Sequence, residues 1–281
     1  MNFRTLSLVM LAALGTPALV HAQHAAHAAS QPAADSALDQ AIAAGTRTPA
    51  NVLRDKYRHP RETLGFFQLK PDQTVIEITP GGGWYSEILA PYLREHGTYV
   101  AAVVDPSAVP AGGGRDYQQR SFDSLKKKFE AAPAQFDKVQ LAPYSPTSPV
   151  FGAPGSADLV LTFRNVHNWR KAGQAEGMFK GFYNVLKSGG VLGVVEHRAS
   201  KDVPADDDTG YVGQAQVIAL AEAAGFKLAG QSEVNANARD TKDHPNGVWT
   251  LPPTNQHDAK DDAKYEAMGE SDRMTLRFVK P

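Results

Sequence analysis

Val75-Ile-Glu-Ile-Thr-Pro-Gly-Gly-Gly-Trp-Tyr85 is the stretch that decides the fold. Val75 to Ile78 form a short, mostly apolar strand with an acid, Glu77, one step from its tip. Three glycines follow, and Trp84 to Arg94 then carries helical spacing. A strand, a tight glycine turn and a helix start leave backbone N–H groups that no side chain shields, so a ligand can approach them. The next apolar run, Tyr99 to Val104, ends in Asp105, 22 residues after Gly83. An acid at about that distance, on the second strand tip, can accept hydrogen bonds from both ribose hydroxyls of a nucleoside.

Further along the chain, strands are predicted at 74–78, 99–104, 137–141, 158–163, 190–196, 227–234 and 273–279. Helices are predicted between them, at about 84–95, 117–131, 172–187 and 211–224. Such alternation implies a mostly parallel seven-stranded sheet with helices on both faces. Gly189-Gly190 reads as a helix stop that feeds the fifth strand. Before the first strand, Asp55 to Phe67 reads as a helix broken near His59-Pro60, with Phe66, Phe67 and Leu69 packing under the sheet. A polar segment, Asn235 to Glu270, separates the last two strands. A connection of about 35 residues there exceeds the usual length and is expected to be functional or a lid.

Glu77-Ile-Thr-Pro-Gly-Gly-Gly83 resembles the first motif of class I S-adenosylmethionine (SAM) dependent methyltransferases, acid-x-Gly-x-Gly-x-Gly. Thr79 replaces the first glycine; Gly81 and Gly83 match. A dinucleotide fingerprint, G-x-G-x-x-G, would place its third glycine on Ser86, so an NAD-dependent oxidoreductase fits less well. Leu186-Lys-Ser-Gly-Gly-Val-Leu-Gly-Val-Val195 resembles the family's passage from helix to fifth strand. The resemblance covers roughly residues 52–280 and extends to a group of exported bacterial predicted methyltransferases. It implies a Rossmann-like class I methyltransferase fold with strand seven antiparallel beside strand five. It also implies SAM as cofactor. Glu77 would orient the glycine loop and the methionine amino group, Gly81 and Gly83 would allow backbone approach, and Asp105 would take the ribose. The family often has an acid after strand three that touches adenine. Here that place reads Leu141-Ala-Pro-Tyr-Ser145, which leaves backbone groups near Ala142 or the Tyr144 ring for that task.

The fourth strand ends Thr162-Phe-Arg-Asn-Val-His-Asn-Trp169, and in the class I fold that tip faces the methyl group and the substrate. Arg164, Asn165 and Trp169 are therefore candidate substrate contacts. Histidine accepts protons near neutral pH, which makes His167 the first candidate general base and His197, in Glu196-His-Arg198, the second. His167, Glu196 and His197 could also ligate a metal ion, but their spacing is not that of a recognised motif, and no metal is expected. G-x-S-x-G is absent, which disfavours serine hydrolase chemistry.

Composition bounds the rest. Residues 1–22 read as a secretory signal, with Arg4, an apolar stretch from Leu6 to Val20, and Val20-His-Ala22 as a small-residue cleavage pattern. Removal would leave roughly 259 residues, a flexible lead-in at 23–50 and a methyltransferase-like domain at 51–281. The absence of cysteine suits an oxidising compartment, and a periplasmic or secreted bacterial location is expected. A formal net charge of −1 and the lack of a basic stripe argue against nucleic acid or an anionic membrane as partner after signal cleavage, so a small-molecule acceptor is expected. The oligomeric state is left open. A non-catalytic nucleoside- or small-ligand-binding protein on the same fold is the alternative.

Overall fold

A computed structural model describes residues 36–281 together with Met1. Seven strands form one sheet: Thr74–Ile78 (β1), Thr98–Val104 (β2), Gln140–Tyr144 (β3), Ala157–Phe163 (β4), Leu186–His197 (β5), Lys227–Ser232 (β6) and Arg273–Val279 (β7). Their order is β3-β2-β1-β4-β5-β7-β6. β1 to β5 run parallel, and β7 lies antiparallel between β5 and β6, as the resemblance implied. β1 is central and its apolar residues are buried on both faces, as a helix-covered parallel strand requires.

Helices cover both faces. They comprise residues 36–42 (α1), Pro49–Val52 (α2), Asp55–Arg58 (α3), Pro60–Phe66 (α4), Ser86–Leu93 (α5), Gly113–Ala131 (α6), Pro133–Phe136 (α7), Val166–Lys171 (α8), Ala175–Val185 (α9), Gln214–Ala223 (α10) and Asp262–Met268 (α11). Strand residues alternate between the faces. Val75, Leu159 and Leu161 pack with Leu64, Phe67, Ile88, Leu89 and Leu125 on one side. Ile76, Val160 and Val194 pack with Phe179, Phe182, Val217 and Ala221 on the other. Phe67 and Leu69 are buried as expected, while Phe66 is partly exposed beneath the Arg277 guanidinium. None of the described helices is long and apolar enough to cross a membrane.

Three expectations need correction. The segment 1–22 lies outside the described residues apart from Met1, as does 23–35, but the lead-in from residue 36 onward is not mobile chain. Leu38 and Ala41 of α1 are buried against the sheet's helical layer, and Arg47 is buried on Asp55 at 2.6 Å. β3 runs three residues later than predicted because α7, opened by Pro133, takes the preceding positions. Pro143 is tolerated there because β3 is an edge strand. Gly189-Gly190 lies inside β5 and not at a helix stop; α9 already ends at Val185. The polar segment between β6 and β7 is structured, with α11 and short turns at Gly247–Thr250 and Ala259–Asp261.

Candidate active site

A cavity of about 360 Å³ opens at the carboxyl ends of β1, β4 and β5. This is the side on which parallel α/β sheets place their ligands. Glu77, Thr79, Gly81 and Gly82 from the β1 end line it, with Trp84 and Tyr85 at the entry to α5. The turn takes left-handed backbone at Thr79 (φ 50°), Gly81 (φ 60°) and Gly83 (φ 74°). Thr79 thus adopts a conformation that favours glycine, and its hydroxyl is tied to the Tyr144 hydroxyl at 2.9 Å. The two matching glycines serve different ends. A Cβ at Gly81 would meet nothing within 4 Å, so the backbone there faces open space. A Cβ at Gly83 would press on Leu125 Cδ1 at 3.2 Å and Ser86 Oγ at 3.3 Å, and Gly83 does not line the cavity. Gly83 therefore serves packing.

Glu77 is 2% exposed. Its Oε2 accepts hydrogen bonds from the Tyr99 hydroxyl at 2.5 Å and the Ser86 hydroxyl at 3.4 Å. Burial raises the carboxyl from 4.5 to about 7, against the pull of Tyr99, Ser86 and the nearby arginines. A buried carboxyl with this pKa is poised to pair with an incoming cation.

Asp105 stands at the β2 tip, as expected, but outside the cavity lining. Its Oδ1 accepts from the Ser107 N–H (2.8 Å) and hydroxyl (2.7 Å), which hold the acid below the usual carboxylate range. Ala142 is a correction: it lies in the middle of β3, partly buried against the core, and does not reach the cavity. The late start of β3 moved the strand tip to Tyr144, itself a buried core residue. Tyr117, Gln118 and Ser121 of α6 line the cavity instead, and sequence reasoning missed them.

The fourth strand ends at Phe163, and the residues read as its polar tip form a corner and a short helix. Arg164 takes φ 62°, a left-handed conformation unusual for a side chain of this size. Asn165 lines the cavity and donates to the Ile78 carbonyl at 3.0 Å and Thr162 Oγ1 at 3.2 Å, joining β1 to β4. His167 enters the cavity from the first turn of α8. Trp169 is a second correction: with Val166 it forms the buried face of α8, packs on Phe182 at 5.6 Å, and does not line the cavity. Helical geometry turns it away from His167.

Glu196, wholly buried at the end of β5, organises this corner. Its Oε2 accepts the N–H groups of Val166 at 2.6 Å and His167 at 3.3 Å, two of the free donors at the start of α8. Its Oε1 accepts the His197 N–H at 2.8 Å and lies 3.0 Å from His167 Nδ1. His167 is thereby oriented, with Nε2 left for a ligand. His197 also lines the cavity, with Nδ1 2.6 Å from the Ser271 hydroxyl. Burial, then the adjacent His167 and Arg164, push its pKa well below the ordinary histidine value. The ligating atoms of His167, Glu196 and His197 lie within 4.8 Å of one another, closer than their sequence spacing suggested. Both Glu196 oxygens accept hydrogen bonds, so the carboxylate holds the α8 start and the His167 ring in place.

The remaining wall comes from the chain's two ends. Asn51 of α2, Arg54 of the α2–α3 connection and Arg58 of α3 reach in on one side; Val248, Trp249, Pro252, Pro253, Thr254, Glu270 and Ser271 reach in from the β6–β7 segment. That segment thus supplies one wall of the cavity. It is anchored by buried Asp240, which accepts from the Tyr211 hydroxyl at 2.9 Å and the Asp272 N–H at 2.7 Å and pairs with His244 Nε2 at 2.8 Å. Asp240 and His244 are structural, Asp243 is exposed, and Trp249 stands edge-on to His167 with ring centres 6.0 Å apart.

The sheet order, the antiparallel β7 and the position of the cavity define the Rossmann-like fold of class I SAM-dependent methyltransferases. No family profile and no curated protein matches the sequence. Solved structures do match in fold. A SAM-dependent methyltransferase from Aquifex aeolicus is 14% identical, with 88% of this chain and 98% of that one covered at a TM-score of 0.55. The (4+2)-cyclase SpnF is also 14% identical, with 90% and 96% covered at 0.56. A SAM-dependent methyltransferase from Methanosarcina mazei is 11% identical, with 77% and 96% covered at 0.51. At such identities the likeness concerns the fold, and the cyclase shows that more than one activity is named on it.

Proposed function

We propose that the protein is a SAM-dependent methyltransferase acting on a small-molecule acceptor, with His167 as general base. One observation carries this reading: Glu77 and the glycine turn share a cavity with His167, whose ring Glu196 orients from behind. The residues fit the cofactor. Glu77 offers a buried acid for its ammonium group, the backbone at Gly81 is unobstructed, and Asp105 stands at the strand tip suited to a ribose. When bound, the cofactor supplies an electrophilic methyl group on a sulfonium. His167 Nε2 would accept the proton that the acceptor loses when it is methylated. Glu196 holds the imidazole in place and balances its positive charge after proton transfer. Asn165 fixes the corner that carries the base. His197, kept neutral, is a weaker base and suits a hydrogen-bonding role.

Thermal melting of the full chain tests the cofactor. SAM and S-adenosylhomocysteine should each stabilise it, by about 2.7 kcal/mol at a hundred times the dissociation constant, and NAD should not. The opposite pattern would replace the reading with an oxidoreductase. Asp105→Ala should then weaken S-adenosylhomocysteine binding by about 1.5–3 kcal/mol. A non-catalytic binding protein remains the second reading, favoured by the expected export signal, since SAM is made in the cytoplasm. It predicts cofactor binding without methyl transfer to any acceptor.

A further inference from the structure

Charge in the cavity is out of balance. Arg54 Nε meets Glu270 at 2.6 Å, Arg273 Nη1 at 3.0 Å and Arg58 Nε at 3.4 Å, so three guanidinium groups share one carboxylate. Burial opposes ionisation of Glu270, but Arg273, Arg58 and Arg54 together outweigh it and hold its pKa at about 2. Arg164 joins this group from the β4–α8 corner, and its guanidinium has no hydrogen bond or ion pair among the described residues. Burial, then Arg273, pull its pKa down to about 10, so it stays charged at neutral pH. Arg54, Arg58 and Arg164 therefore line the cavity with Glu270 and Glu77, and Arg273 pairs with Glu270 beside it. Among these lining residues the excess is one positive charge with Glu77 ionised and two with it protonated. The chain as a whole carries −1, so the excess is local. Arg164 is half-buried, and unpaired charge of one sign in a partly enclosed cavity favours a ligand of the opposite sign.

SAM does not complete it. It brings one carboxylate together with two positive centres, the ammonium and the sulfonium, and so adds to the excess. We infer that the acceptor is itself an anion, a carboxylic acid whose carboxylate lies against Arg164; this inference rests on the methyltransferase reading above. The guanidinium fork matches a carboxylate with two parallel hydrogen bonds. The rest of the acceptor would be flat and apolar, because Tyr85 stacked on Phe163 at 3.6 Å, Trp84, Trp249 and Val248 form the adjoining walls. With its carboxylate on Arg164, the acceptor would present its nucleophilic atom toward His167 at the same corner.

Benzoate, benzamide and inorganic phosphate serve as probes of this site. Melting of the full chain is followed at constant ionic strength, with saturating S-adenosylhomocysteine. Benzoate at several times its dissociation constant should raise the midpoint by about 2–4 °C. Benzamide, equal in shape and neutral, should leave it unchanged. Arg164→Gln should abolish the benzoate response, and Arg164→Lys, which keeps the charge but not the fork, should retain part of it. Equal responses to benzoate and benzamide, a response to phosphate but not benzoate, no benzoate response in the wild type, or an undiminished response in Arg164→Gln would each overturn the inference. If Arg164→Gln instead loses its response to S-adenosylhomocysteine, Arg164 holds the cofactor carboxylate and the acceptor assignment falls. A wild type that responds to benzoate but not to S-adenosylhomocysteine would refute the methyltransferase reading while leaving an anion site in place.

Discussion

Glu77→Gln should make the unliganded protein more stable, and by an amount that grows with pH. The wild-type carboxyl is raised from 4.5 to about 7 on folding, chiefly by burial. Below pH 4.5 the acid is protonated in both folded and unfolded chains and contributes nothing to their difference. Between 4.5 and 7 the unfolded chain releases the proton and the folded chain keeps it, so stability falls as pH rises. Above about 7 the full cost is reached, about 3 kcal/mol at roughly 1.4 kcal/mol per tenfold change in proton affinity. Glutamine never ionises and keeps an acceptor for the Tyr99 hydroxyl, whose oxygen lies 2.5 Å from Glu77 Oε2. Urea unfolding followed by tryptophan fluorescence at pH 5 and pH 8 would read the effect. The stability gap between variant and wild type should widen by about 2.5 kcal/mol between the two. Curves that run parallel in pH, or a gap that narrows, would refute the claim that Glu77 is held as a buried, high-pKa acid.

Glu196→Leu should destabilise the fold by about 1.5–3 kcal/mol, because the N–H groups of Val166 and His167 lose a charged acceptor; urea unfolding and faster hydrogen exchange at those two amides would show it. Gly81→Ala and Gly83→Ala should each cost about 1–2 kcal/mol for left-handed backbone. Gly83→Ala should cost more in melting experiments, because its Cβ meets Leu125 and Ser86. N-terminal sequencing of a periplasmic fraction should find a mature chain starting near Gln23; Met1 in the main pool would overturn export.

The glycine turn, the sheet and most of its helices were legible because each rests on a local pattern that repeats through the chain. β1 and β7 fall at the predicted positions, and Glu77 and Asp105 stand at the predicted strand tips. What was not legible was short or distant. Six residues in α8 give fewer than two turns, too little periodicity to separate a helix from an irregular strand end. Position after β4 suffices to bring His167 to the cavity wall, whereas Trp169 packs into the core. Pro143 and the short α7 hid the true start of β3 and with it misplaced Ala142. The arginine cluster could not be seen at all: Arg54 and Glu270 are separated by 216 residues and meet only because β7 returns between β5 and β6. In the sequence Glu196 reads only as a metal ligand, because its role as acceptor for α8 depends on the turn that α8 makes.

Calorimetric titration of the full chain with S-adenosylhomocysteine at pH 7, in two buffers of different ionisation enthalpy, tests the central claim most directly. The cavity should bind one molecule and release about half a proton, because an acid with a pKa of about 7 is half protonated beforehand and ionised once an ammonium group pairs with it. Binding without proton release would detach Glu77 from the cofactor. No saturable binding to the folded chain would contradict the account.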